Sequence, residues 1–205
     1  MSFGLSNLAV ARGGVTVLQG LSVSLSAGQA LILRGANGSG KTTLLRTLAG
    51  LQPAAAGAFD LHPESVAYAA HADGLKSALT VAENLTFWSE IYGGPTIEAA
   101  LAALDLTQLA HRPARELSAG QKRRAGLARL LVTGRQVWLL DEPTVRLDAV
   151  SVALFADVIR QHLANDGVAL IATHVDLGLA EAQVLNLEPY RTRSIRSKGF
   201  DEAFL

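Results

Sequence analysis

A chain of 205 residues that is 49% hydrophobic can bury one sizeable core, with no length to spare for a second full domain. Its 18 Lys and Arg balance 18 Asp and Glu, which excludes a broad basic face for nucleic acid or anionic lipid. It has no cysteine, so disulfide frameworks, thiolate nucleophiles and cysteine metal sites are excluded too. The first basic residue is Arg12 and no apolar run approaches the roughly 20 residues of a membrane helix, so neither a signal peptide nor direct membrane insertion is expected. The expectation is a cytoplasmic chain that reaches a membrane only through a partner.

In chain order, Arg12-Gly13-Gly14 reads as a hairpin turn, and Leu21, Val23 and Leu25 alternate with Ser22 and Ser24 as in a half-buried strand. An antiparallel N-terminal part follows from this. After the break at Ser26-Ala27-Gly28, the apolar run Ala30 to Leu33 recurs in type at Val137 to Leu140 and Val168 to Ala172. Such runs suit strands buried on both faces, hence a central parallel sheet covered by helices.

The first of these strands leads into Gly35-Ala36-Asn37-Gly38-Ser39-Gly40-Lys41-Thr42, which fits GxxxxGK[ST] between a buried strand and a helix, Thr42 to Leu48. The glycines let successive N–H groups converge on phosphate oxygens, and the helix N-terminus adds its positive dipole end. Lys41 is then expected to reach the β- and γ-phosphates and the Thr42 hydroxyl to bind Mg²⁺, with Thr43 a second phosphate contact. The loop implies a nucleoside triphosphate and names no reaction; the plain alternative is a glycine-rich turn with a chance lysine.

Between Thr80 and Glu116 the period becomes helical. Val81, Leu85, Trp88 and Tyr92 fall on one stripe, and Ile97, Ala100, Leu101 and Leu104 on another. Thr80 and Glu83 make a capping box, and Gly93-Gly94-Pro95 separates the two helices. This segment is expected to form a helical lobe inserted in an α/β core, with Trp88 and Tyr92 in the lobe interior rather than on a docking surface. Leu117-Ser118-Ala119-Gly120-Gln121 opens a further helix to about Val132, with Ser118 as N-cap and Gln121 completing a capping box.

The second apolar run ends in Asp141-Glu142-Pro143, two acids at the carboxyl end of a buried strand, where open α/β sheets hold ligands. Asp141 is expected to hold the Mg²⁺ shell and Glu142 to orient and deprotonate the attacking water. His174 follows the third run and opens at the same edge, where an imidazole can donate to a γ-phosphate oxygen; a satisfied buried histidine is the alternative. The tail residues Arg191, Arg193, Arg196 and Lys198 read as a solvated basic end.

Leu117-Ser118-Ala119-Gly120-Gln121, lying between the phosphate loop and Asp141, resembles the LSGGQ signature of the ABC ATPases, and the likeness spans nearly the whole chain. It implies an α/β P-loop NTPase fold of the ABC type in a single domain, 1–205, with a helical lobe at about 74–134. In that family two copies close over two ATP molecules, so Ser118, Gly120 and Gln121 would act on the nucleotide of the other copy and Asp148 would be the D-loop aspartate. With one phosphate loop and one signature the chain needs a partner, most simply itself. Two departures accompany the likeness. Arg12 stands where an aromatic stacks on adenine, and a guanidinium plane can do the same. His71 stands where a glutamine senses Mg²⁺, and either a signalling role or a plain loop residue fits it.

The segments Ala69-Ala70-His71-Ala72-Asp73-Gly74-Leu75-Lys76, Glu83-Asn84-Leu85 with Phe87-Trp88, and Gly120-Gln121-Lys122-Arg123-Arg124 resemble the branch of that family serving cytochrome c maturation. That implies an ATP-driven translocase subunit, peripheral on the cytoplasmic face of the bacterial inner membrane. It would work with a multi-spanning membrane subunit in haem export or in release of a haem-loaded chaperone. The chain has five histidines and no cysteine, so nothing in it argues that it binds haem itself. The alternatives are a transporter subunit for another cargo, a soluble ABC ATPase acting on nucleic acid or ribosomes, and a regulatory module that holds ATP without cleaving it.

Overall fold

A computed structural model describes residues 2–180 and 182–192. The N-terminal hairpin joins β1 (Ser2–Arg12) and β2 (Val15–Ser26) through Gly13 and Gly14. Their φ values of 57° and 79° are the left-handed pair that a tight hairpin requires. With β4 (Ala56–Phe59) they form a three-stranded antiparallel sheet in the order β2-β1-β4.

The second sheet is parallel, in the order β5-β6-β7-β3-β8: β3 is Ala30–Arg34, β5 Val66–Ala69, β6 Val137–Asp141, β7 Val168–Ala172 and β8 Gln183–Asn186. Every residue of β6 and β7 is buried. The pleat divides their side chains between two cores. Leu31, Leu33, Val137, Leu139, Val168 and Leu170 join α1 (Lys41–Leu48) and the antiparallel sheet, while Ala30, Trp138, Leu140, Ala169 and Ile171 face the remaining helices. Uninterrupted apolar runs are thus the consequence of two covered faces.

Between β5 and β6 lie α2 (Val81–Tyr92), α3 (Glu98–Ala103) and α4 (Ala119–Val132). Both expected capping boxes are present, Thr80 with Glu83 and Ser118 with Gln121. The stripe on α2 departs from the sequence reading. Val81 and Leu85 are buried, but Trp88 is half-buried and Tyr92 exposed, the two stacked 5.8 Å apart under the guanidinium groups of Arg129 and Arg135. One helical face slides from core to groove along its length, and a period of 3.6 does not register where the covering layer stops. α5 (Ala149–Ala164), β4, β5 and β8 complete the fold without having been read from the sequence. Arg193, Arg196 and Lys198 lie outside the described residues.

Candidate active site

The strand order brings the site together. β7 lies between β6 and β3, so the segments that leave the carboxyl ends of these three strands emerge side by side. They are the glycine loop 35–42, the acids Asp141 and Glu142, and the turn bearing His174.

An open cleft of about 320 Å³ runs along this edge, lined by Arg12 and Val17 at one end, residues 37–43 along its floor, and Asp141 and Glu142 at the other. Gly40 caps α1 at φ 102°, where a Cβ would lie 2.9 Å from Leu18, so the turn is closed to larger residues. The first N–H groups of α1 have no partner within the helix and face this floor. Ser39 Oγ is buried without a hydrogen-bond partner beside them. Lys41 is 7% exposed; its ammonium donates to the carbonyl of Gly35 at 2.8 Å and to that of Ala36 at 3.4 Å.

Lys41 Nζ lies 3.1 Å from His174 Nε2 and 4.0 Å from Glu142 Oε1, and Glu142 is 3.5 Å from the His174 ring. Cation, carboxylate and imidazole therefore meet at one point beside the glycine loop. His174 is held from below: Thr173, fully buried, accepts at its carbonyl from the Arg34 guanidinium and at its hydroxyl from Val175 N–H at 3.1 Å. Arg34 was not read from the sequence, where it is simply the residue before the glycine loop.

Asp141 takes two hydrogen bonds, from Thr42 Oγ1 to Oδ1 at 3.1 Å and from the Tyr68 hydroxyl to Oδ2 at 3.3 Å. Burial pushes the Tyr68 phenol up to about 12, reinforced by the negative charge of Asp141 and by donation to it, with Arg46 pulling the other way. The phenol therefore remains a donor at any working pH, and both carboxylate oxygens are oriented. Among the described residues no three His, Cys, Asp or Glu side chains cluster as a metal cage. Tyr68 escaped sequence reading because no motif marks it. Gln52 did too: its amide spans the carbonyls of Ala11 and Thr43 and the Thr47 hydroxyl, at 3.0 to 3.3 Å, fastening the Arg12 arm to α1.

The remaining predicted residues stand elsewhere. His71 is exposed and does not line the cleft; its carbonyl, not its ring, is engaged, 3.5 Å from the Arg123 guanidinium. Ser118 and Gln121 satisfy each other's backbone N–H groups at the start of α4, outside the residues that line the cleft. A Cβ on Gly120 would approach the carbonyl of Arg146 to 3.1 Å, so the signature packs on the loop after Pro143. Asp148 caps α5 by accepting from Ser151 N–H at 2.8 Å, and those donors hold its carboxyl below the usual range.

The family model described as ABC transporter matches residues 18–145, which contain the glycine loop, the Leu117–Gln121 signature and the acid pair. The chain belongs to the ABC transporter family. Within it, the chain is 66% identical over 194 residues to the cytochrome c biogenesis ATP-binding export protein CcmA of Cereibacter sphaeroides, covering 95% of this chain and 92% of that one. It is 62% identical to the protein of the same name from Paracoccus denitrificans, covering 97% and 96%. These values place it among the cytochrome c biogenesis ATP-binding export proteins. An ABC transporter ATP-binding protein from Pyrococcus furiosus shares its fold, with a TM-score of 0.85 at 24% identity over 94% of this chain and 100% of the other. The chain is accordingly an ABC ATPase, a family that binds nucleotide, and the cleft holds the glycine loop and acid pair within the matched region. No helix among the described residues is long and apolar enough to cross a membrane.

Proposed function

We propose that this chain is the ATP-hydrolysing subunit of a membrane ABC complex of c-type cytochrome biogenesis, acting in haem export or haem-chaperone release on the cytoplasmic face of the inner membrane. It works there as one domain and as one half of a homodimer that grips a multi-spanning membrane subunit through its helical lobe. The observation that carries the catalytic part of this reading is the meeting of Lys41, Glu142 and His174 within 4.0 Å at the phosphate end of the cleft.

Residues 35–43 cradle the phosphates through backbone N–H groups, and the Lys41 ammonium exchanges its carbonyl partners for phosphate oxygens. Ser39 Oγ, buried without a partner, finds one there. Arg12 stacks on the base. Thr42 and Asp141 offer a hydroxyl and a carboxylate oxygen side by side, the hard oxygen donors that Mg²⁺ accepts when phosphate and water complete its shell. A metal held by Thr42 and Asp141 would supply neutralisation of charge on the transferring phosphoryl group. Glu142 takes the proton of the attacking water, and His174 donates to the terminal phosphate and holds the geometry. His71, exposed and outside the residues that line the cleft, serves as a loop residue in this scheme. Ser118, Gly120 and Gln121 close on the nucleotide of the other copy, and Asp148 stands beside that contact. ATP favours the closed pair and hydrolysis releases it, so the work comes from the difference in ATP affinity between the two states.

The test is Glu142→Gln, which keeps the shape of the side chain and removes its basicity. Phosphate release is expected to fall by at least 100-fold while ATP-bound dimers accumulate; full turnover by this variant overturns the assignment of the base.

A further inference from the structure

Arg123 is buried to 2% exposure, a rare state for an arginine, and five groups from two loops satisfy it. Its Nε donates to the Pro143 carbonyl at 2.9 Å and one terminal nitrogen to the Glu142 carbonyl at 3.0 Å. The other terminal nitrogen donates to the Ala70 carbonyl at 3.0 Å, to Asp73 Oδ1 at 3.2 Å and, at the limit, to the His71 carbonyl at 3.5 Å. Its planar fork is what allows contact with both loops at once. The approach is built into α4: one turn on from Arg123, a Cβ on Gly126 would lie 2.7 Å from the Asp73 carbonyl, so only glycine brings the helix this near.

The consequence falls on Glu142. Its φ is 47°, a left-handed conformation that a side-chain-bearing residue adopts only when its surroundings impose it. Three bonds hold it: its N–H is given to the Ala172 carbonyl at 2.8 Å, and its carbonyl accepts from Arg123 at 3.0 Å and, more weakly, from the Val145 N–H at 3.3 Å. The first belongs to the sheet edge. The second comes from the helix whose N-terminus is the signature.

We propose that Arg123 is a positioning residue for Glu142 of its own copy, locking the peptide that aims the carboxylate at the water. The inference rests on the reading of Glu142 as the base and of the assembly as two composite sites. Since α4 also carries the signature that serves the other copy's nucleotide, cis and trans effects of Arg123 can be separated in mixed dimers.

One copy carrying Arg123→Met is mixed with a large excess of a Glu142→Gln copy, so that the live site uses its own altered Arg123. In the reciprocal mixture, a wild-type copy is paired with excess Glu142→Gln/Arg123→Met, so that the alteration lies only in the helix supplied in trans. The first mixture is expected to show kcat lowered at least 30-fold with KM for ATP within threefold of wild type; the second stays within threefold in both. Arg123→Lys, which keeps the charge opposite Asp73 without the fork, and Arg123→Met/Asp73→Asn, which removes both charges, follow the same pattern and guard against a variant that does not fold. Equal loss in both mixtures, loss only in trans, or no loss overturns the proposal. Failure of the underlying reading is separate: the Glu142→Gln homodimer would then hydrolyse ATP freely or form no ATP-dependent dimer.

Discussion

Two helices of this chain begin with the same device, and only one of them is expected to matter for hydrolysis. Thr80 caps α2 and Ser118 caps α4, each in a complete capping box with its side chain accepting the N–H three residues on, at 3.1 Å and 3.2 Å. Replacing either by Ala removes an N-cap worth about 1 kcal/mol, which in a domain of this size lowers Tm by about 2–4 °C. Against a stability of about 5–15 kcal/mol the folded fraction at 25 °C is unaffected. Thr80→Ala should therefore melt slightly earlier and hydrolyse ATP normally. Ser118→Ala should melt equally early, but in the proposed dimer it also loses a hydroxyl that meets phosphate of the other copy. A hydrogen bond to a charged group is worth about 1.5–3 kcal/mol, so its ATPase rate should fall roughly 10- to 150-fold. Differential scanning calorimetry and a steady-state phosphate-release assay on both variants decide the matter. Equal ATPase rates for the two, whether both normal or both lost, refute the reasoning.

Three further outcomes are expected. Tyr68→Phe removes one of the two donors that orient Asp141; a hydrogen bond to a carboxylate, worth about 1.5–3 kcal/mol, should raise the Mg²⁺ concentration for half-maximal ATPase by roughly 10- to 150-fold, with metal-free nucleotide binding unchanged by fluorescence titration. His162 stacks on Trp138 at 3.7 Å, and burial holds its pKa below the ordinary 6.5. Here the unfolded chain takes up a proton that the folded one refuses, so stability is full above about pH 6.5 and falls as the pH drops below it; melting curves of His162→Phe should lose part of that acid sensitivity. Gly126→Ala improves helix propensity by about 1 kcal/mol, yet its Cβ would press on the Asp73 backbone at 2.7 Å, so a lower Tm and slower turnover are expected, read by calorimetry and phosphate release.

The residues of the candidate site were legible because their chemistry is written locally: a glycine loop, an acid pair at a strand end and a capped helix each occupy a few consecutive positions. The three central strands were legible as apolar runs because burial on both faces leaves no alternation to misread. β8 was not, since at the sheet edge most of its four residues are exposed and their pattern is weak. α5 was missed because its β-branched residues Val150, Val152, Val158 and Ile159 lower helix propensity, and packing of Phe155, Ile159 and Leu163 overrides it. Trp88 and Tyr92 followed helical spacing into a groove, where periodicity alone suggested core. Arg34, Tyr68 and Arg123 act on partners 139, 73 and 19 to 53 positions away, a relation that only the folded strand order creates.

The composite site itself is open to direct capture, because the chain contains no cysteine. Asn37→Cys in the glycine loop of one copy and Ala119→Cys in the signature of another, both carrying Glu142→Gln, can be mixed and treated with a short bifunctional thiol reagent. With ATP and Mg²⁺ a covalent species of twice the monomer mass is predicted, and with ADP only monomer. A cross-linked yield that is absent with ATP, or the same with both nucleotides, contradicts the account.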